Sequence, residues 1–367
     1  MAKGGHGQSE KYTLVKQNWL RHFLHEDFRV LDQIETRNIE GKYGDRFADI
    51  PCIVMDLNAG DGKDQWDRIW SPIIELQKTL QYNKMVFEMV FAEIRPEACV
   101  QLRKYAKEYY ERKGYFTKHI STTGKRKFAT SEHNIDLRQL TPIRQRVKIR
   151  VVEGDNKITI PRDYLDGRSK VDTHDYNFGL VYIDVNGLAD WELLNKISSH
   201  HLFQKVDFLV HISADEIKRC IGIAKRGHTG FTYVKYLKEY MGKIPREYCL
   251  VRLPLGSGWQ WTHILFTDYA KLDEYEHLGM YSIKSTRNNI LKGNVILDYM
   301  NNSKEELRAT EEGKRTLELY NDILSLGQRA KDLEEYMFNY DENEPISLEK
   351  MRMMLNGNLN IQRKQSR

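Results

Sequence analysis

The run Cys52-Ile53-Val54-Met55-Asp56-Leu57-Asn58-Ala59-Gly60-Asp61-Gly62 constrains the fold more than any other part of the chain. A short apolar run that ends in an acid and then in two glycines one residue apart reads as a buried strand of a parallel sheet delivering the backbone to a tight turn. Glycines at that turn let the main chain pass close to a ligand, because no Cβ stands in the way. Asp56 then lies at the carboxyl end of the strand, where open α/β sheets bind ligands.

Four more apolar runs follow, separated by helical patterns. Met85 to Ala92 predicts a second strand ending at Glu93, and Pro96 to Arg112 a helix with proline in its first turn. Val147 to Val152 predicts a third strand that ends in Glu153-Gly154-Asp155. Phe178 to Asp184 and Val206 to Ile212 complete five, with Trp191, Leu194 and Ile197 supplying the apolar face of the helix between them. Trp66 to Tyr82 and Phe231 to Met241 read as further helices, and Asp215-Glu216 as an acidic helix start. Two last strands, Tyr248 to Leu255 and Trp259 to Thr267, are joined by Gly256-Ser257-Gly258, a hairpin turn that makes them antiparallel. The expected architecture is α/β, with five parallel strands, a terminal antiparallel hairpin and helical additions at both ends. Residues 1–48 form the N-terminal extension, led by an amphipathic helix over Lys11 to Phe28; residues 49–281 form the α/β domain and residues 282–367 a polar helical region.

Charge is unevenly placed. The 367-residue chain carries a formal net charge of +5, yet residues 103–150 hold 14 Lys or Arg against 4 Asp or Glu. The remainder is therefore net acidic, and a local basic segment on such a chain suggests a polyanion partner. Its centre, residues 113–145, lacks a long apolar run and reads as an inserted loop; Lys125, Arg126, Lys127, Arg144 and Arg146 are the candidate nucleic-acid contacts. The four cysteines are scattered, so neither a disulfide framework nor a Cys-x-x-Cys metal site is expected. With no apolar run near the roughly 20 residues that span a bilayer, the expectation is a cytoplasmic protein without a membrane partner.

Several candidates have two readings. Glu93 either holds ribose hydroxyls, since one carboxylate can accept from both, or caps the helix at Pro96. Asp155 is a ligand contact or a turn aspartate, and Asp184 a substrate-facing acid or a helix-entry acid. Trp259 and Trp261 pack a sheet or stack on a base. His200, His201 and His228 have no partner at metal-ligand spacing. Residues 222–230 lack the Gly-Lys-Ser/Thr ending of a phosphate loop, and Gln65 breaks the dinucleotide fingerprint Gly-x-Gly-x-x-Gly, which disfavours a nicotinamide cofactor.

The Asp56-Leu57-Asn58-Ala59-Gly60-Asp61-Gly62 spacing resembles motif I of class I S-adenosylmethionine-dependent methyltransferases, with Asn58 where nucleic-acid methylases carry Phe. Together with Lys11-Tyr12-Thr13-Leu14-Val15-Lys16, Val181-Tyr182-Ile183-Asp184-Val185-Asn186-Gly187 and Val206-Asp207-Phe208-Leu209-Val210-His211, it is similar to the three-Cys-motif partner proteins, a bacterial and phage-associated family. The resemblance implies a Rossmann-like class I methyltransferase sheet and S-adenosylmethionine as cofactor, held by Asp56, Asn58, Gly60 and Gly62, with Glu93 on the ribose and Asp155 on the adenine. Asp184 is the catalytic candidate. Val185 stands where the family has proline, so the stiff turn that aims carbonyls at a substrate amine is missing. Two functions follow from this: a methyltransferase or cofactor-binding relative acting on nucleic acid, or a non-catalytic module of the same fold that binds nucleic acid or a protein partner.

Overall fold

The computed structural model describes residues 10–40, 51–62, 71–79, 86–112, 120–122, 133–136, 146–166, 177–184, 189–213, 242–254, 261–283, 288–302 and 304–323. Packing divides the chain into two units. The larger holds Leu20–Cys249 and Pro254–Tyr269; the smaller is discontinuous, built from Met1–Trp19, Leu250–Leu253 and Ala270–Arg367.

The larger unit is an α/β structure with an eight-stranded mixed sheet. Its strands are β1 (Cys52–Asp56), β2 (Val86–Glu93), β3 (Ile120–Thr122), β4 (His133–Asp136), β5 (Arg146–Glu153), β6 (Phe178–Ile183), β7 (Lys205–Ser213) and, after the strand β8 (Tyr248–Arg252), β9 (Trp261–Thr267). Across the sheet the order is β9-β7-β6-β1-β2-β5-β4-β3. The five expected strands are parallel: β1 pairs with β2 and β6, β2 with β5, and β6 with β7. The antiparallel β9 borders β7, although β8 precedes it in sequence. The proposed hairpin turn at Gly256-Ser257-Gly258 lies outside the described residues.

Burial on both faces explains the unbroken apolar runs of the central strands. All five residues of β1 are buried, and five of the eight in β2 are apolar and lie in the core. β1 and β6 approach so closely that a Cβ on Gly179, whose φ is +139°, would stand 1.8 Å from the Ile53 carbonyl oxygen. Glycine is required at that point.

Helices cover the sheet. The first, α1 (Glu10–Glu40), is longer than the amphipathic stretch at its start; in the larger unit its Phe23, Leu24 and Phe28 are fully buried, and the Phe28 ring lies 5.4 Å from that of Phe87 on β2. Next come α2 (Ser71–Thr79), with Pro72 at its second residue where a missing N–H costs nothing, and α3 (Pro96–Arg112). After β5 the short α4 (Asn156–Thr159) passes into a π-helical turn over Ile160–Leu165, and α5 (Trp191–Ser198) follows β6 with Asp190 as its N-cap, accepting from the Leu193 N–H at 3.0 Å.

The sequence reading of residues 113–145 as a plain loop is corrected in part. β3 and β4 lie inside it, pairing antiparallel with each other and, through β4, with β5. They are three and four residues long, too short for an alternating pattern to show against so many charges.

The smaller unit is pinned by polar contacts across long sequence separations. Trp19 Nε1 donates to the Leu278 carbonyl at 3.0 Å, and the buried Arg252 guanidinium sits 4.5 Å from the Trp19 ring. The last residues of β8 pair antiparallel with β10 (Met280–Ser282). Asn288 is buried and ties three segments, donating to the Leu272 and Met280 carbonyls and accepting from the Ser282 N–H. The helices α6 (Ile290–Asn301) and α7 (Lys304–Arg308) follow, residues 311–323 are helical, and Tyr320 stacks on Tyr299 with ring centroids 3.5 Å apart.

Candidate cofactor and acceptor site

Three neighbouring parallel strands, β1, β2 and β5, end together at one edge of the sheet, and the sequence-predicted residues lie on the loops that leave them. Gly60 and Gly62 have φ of +65° and +87°, the left-handed region that favours glycine, so the turn after β1 has the conformation its composition implies. The turn is tied to its neighbours through the main chain. Leu57 N–H donates to the Tyr182 carbonyl at 3.0 Å, and Ala59 N–H to the Ala92 carbonyl at 3.1 Å.

Glu93 fastens that turn. Its Oε2 accepts the Gly60 N–H at 2.9 Å, while Oε1 accepts both the N–H and Nε–H of Arg95, at 3.0 and 2.9 Å. Oε2 keeps a second lone pair, so the carboxylate can also accept from a ligand hydroxyl. Asp155 caps α4 by accepting the Lys157 N–H at 3.0 Å through Oδ1, which is the turn-aspartate reading. The next residue, Asn156, donates its side-chain amide to the Leu57 carbonyl and so clips the loop after β5 to the turn after β1.

Two acceptors near this turn stand out. Asn58 Oδ1 and Asn156 Oδ1 are buried and accept no hydrogen bond among the described residues. A buried acceptor left unmatched is costly, so both oxygens suit a ligand that brings N–H or O–H donors. Ile94, which follows Glu93, and Ile158, two residues after Asn156 in α4, are 64% and 53% exposed. Large aliphatic side chains displayed beside polar acceptors suit a flat apolar ring.

Beneath the turn lies a second group that the motif reading did not reach. Asp56 is fully buried; its carboxylate accepts the Asn58 N–H at 3.0 Å and the Ser71 hydroxyl at 2.5 Å. Burial dominates and pushes its pKa from 3.8 up to about 7, against the lowering effect of those two hydrogen bonds and with the charges of Asp184 and Glu93 adding to the rise. Glu75 on α2 is also fully buried, and neither carboxyl oxygen has a hydrogen-bond partner among the described residues. Burial first, and Asp56 second, raise its pKa well above the ordinary range. Both acids are thus biased toward the neutral form. The Tyr182 phenol is raised as well, by burial and then by the charges of Asp184, Asp56 and Glu75.

Asp184 follows β6 and stands beside His211 of β7, with Oδ1 3.0 Å from the imidazole Nδ1. Its side chain is 18% exposed, against 4% for His211. Sequence reasoning missed His211, His263, Tyr182 and Glu75. A histidine within the apolar run Val206-Asp207-Phe208-Leu209-Val210-His211 was the available signal, but its partner depends on the pairing of β6 with β7.

No protein-family model matches the chain, and no curated protein matches it. Among solved structures, a protein of Legionella pneumophila str. Philadelphia 1 placed in the family DUF519 is similar over 70% of this chain and 86% of its own, at 8% identity and a TM-score of 0.35. That likeness is too slight to bear on fold or function.

Of the remaining candidates, Lys125, Arg126, Lys127 and Arg144 lie outside the described residues; Arg146 opens β5. Among the described residues no cluster of His, Cys, Asp and Glu is arranged to hold a metal ion, and no helix is long and apolar enough to cross a membrane.

Proposed function

We propose that this chain binds S-adenosylmethionine and uses it to methylate a nucleic-acid acceptor, as a cytoplasmic protein of bacterial or phage origin. The observation that carries the reading is the convergence of a glycine turn with left-handed Gly60 and Gly62, the acids Glu93 and Asp155, and the acceptors Asn58 and Asn156 at the ends of three adjacent parallel strands. The strand order supports it, since a class I methyltransferase sheet also places an antiparallel strand, late in sequence, beside its fifth parallel strand.

The chain's residues fit the cofactor. The Asn58 and Asn156 oxygens suit an ammonium. Glu93 would hold the ribose, and Asp155 with Ile94 and Ile158 the adenine. When bound, the cofactor supplies a sulfonium-activated methyl group, so the protein's work is mainly alignment. The basic segment supplies the reason for nucleic acid as the acceptor's class, through phosphate contacts that position without reading sequence.

A second reading is a non-catalytic module of the same fold that binds nucleic acid or a protein partner. It is favoured by Val185 in place of proline and by the internal duties of Glu93 and Asp155. Isothermal titration of the wild type and Gly60→Val with S-adenosylmethionine separates the possibilities: binding by the wild type that is lost in the variant supports a cofactor site at the turn. Equal affinity in both removes that site. Binding without methyl transfer to mixed cellular DNA and RNA selects the module.

A further inference from the structure

A row of polar side chains crosses four neighbouring strands on one face of the sheet, just inside Asp184. Strand register sets it. Asp56 pairs with Tyr182, and Asp184 lies two residues further along, so all three point the same way. Ile183 pairs with Val210, which brings His211 next to Asp184, and His211 pairs with His263. The rings follow the same line: His211 and His263 have centroids 5.2 Å apart, and Tyr182 stacks on His263 at 6.1 Å with 26° between planes.

Tyr182, His211 and His263 are all buried, and Asp184 is the half-buried end of the row. Burying such groups costs free energy that an apolar core would not spend, and the cost is met only where the groups pair. His211 Nδ1 lies 3.0 Å from Asp184 Oδ1, close enough for a charge-assisted contact, and the His263 ring stands 5.2 Å from the imidazole on its other side.

We propose that His211 is a positioning residue that anchors one oxygen of Asp184, leaving the other directed outward to accept the proton shed by an N–H or O–H acceptor as it is methylated. The proposal rests on the methyl-transfer reading above. One proton moves: the carboxylate becomes a carboxylic acid, then releases the proton to water. The His211 N–H stays in place and stabilises the ionised form of Asp184. The other titratable groups facing the pair are Asp56 from β1, Glu75 from α2, Tyr182 from β6 and His263 from β9.

The test compares His211→Leu, which removes the donor, with His211→Asn, whose amide N–H can replace Nδ1–H. Leucine should slow methyl transfer by about 10- to 100-fold, the worth of one hydrogen bond to a charged group, and move the acid limb of the pH–rate profile upward. Asparagine should restore most of both. A rate and pH profile in His211→Leu equal to wild type would overturn the role of His211 while leaving the methyl-transfer reading standing. Imidazole ¹⁵N NMR gives a readout without turnover. His211 should carry its proton on Nδ1 in the wild type and shift toward the Nε2–H tautomer in Asp184→Ala; an Nε2–H tautomer in the wild type overturns the anchoring contact. Absence of transfer from a wild type that keeps the Nδ1–H tautomer overturns the methyl-transfer reading, and the proton-accepting role of Asp184 with it.

Discussion

The Glu93 carboxylate accepts the Gly60 N–H at 2.9 Å, so the end of one strand sets the conformation of the turn that follows its neighbour. Glu93→Ala should loosen the turn and leave a buried N–H without its acceptor, at a cost of about 1–3 kcal/mol. Glu93→Gln keeps an acceptor oxygen and should lose less. Denaturant unfolding measures the stability of both, and cofactor titration should show affinity falling more in Glu93→Ala than in Glu93→Gln. A turn indifferent to Glu93 would leave both variants at wild-type stability.

Asp56 predicts an unusual pH dependence. Its folded pKa, about 7, lies above the ordinary 3.8, so the folded state binds a proton that the unfolded state releases first. Its contribution to stability is therefore full below about pH 4 and is lost as pH rises through about 7. Each unit of difference is worth about 1.4 kcal/mol, so the wild type should lose a few kcal/mol relative to Asp56→Asn between pH 4 and 8. Parallel stability curves for the two proteins over that range would show that Asp56 is ionised throughout.

Gly179 permits a close approach of β6 to β1. Gly179→Ala forces a Cβ to 1.8 Å from the Ile53 carbonyl oxygen and places a side chain at a φ of +139°. Overpacking and backbone strain together should cost more than about 3 kcal/mol. The expected result is loss of soluble, cooperatively unfolding protein, whereas a wild-type melting temperature would mean that β1 and β6 can part without penalty.

Lys125, Arg126 and Lys127 test the nucleic-acid reading directly. Their joint replacement by alanine should weaken binding to unrelated DNA and RNA sequences alike and reduce the steepness of the salt dependence, because fewer counterions are released. Fluorescence anisotropy at several salt concentrations reads both effects. An unchanged slope would assign this charge to solvation alone.

The parallel core was legible because its signals are local. Apolar runs of strand length, glycines at a turn and acids at strand ends are visible without knowing what packs against them, and β1, β2, β5, β6 and β7 formed close to where those runs lie. What the acids do was less legible. Glu93 and Asp155 each serve neighbouring N–H groups, and only the fold shows which. The Asp184–His211 pair joins residues 27 positions apart whose meeting depends on strand register, and Glu75 is buried because α2 lays it near Asp56, although its short helix reads as an ordinary amphipathic turn. Long-range pairing creates these relations, and periodicity carries no record of it.

The discontinuity of the smaller unit bears on how the chain is made. A ribosome releases residues 20–249 as one uninterrupted stretch, and the larger unit has all of its sequence once Tyr269 has emerged. Trp19, synthesised near the beginning, must wait for Leu278 before its indole N–H finds the carbonyl it pairs with. Translation therefore imposes an order that refolding from denaturant does not, and a stop codon shortly after Tyr269 would release a chain with a complete sheet sequence and an orphaned first segment.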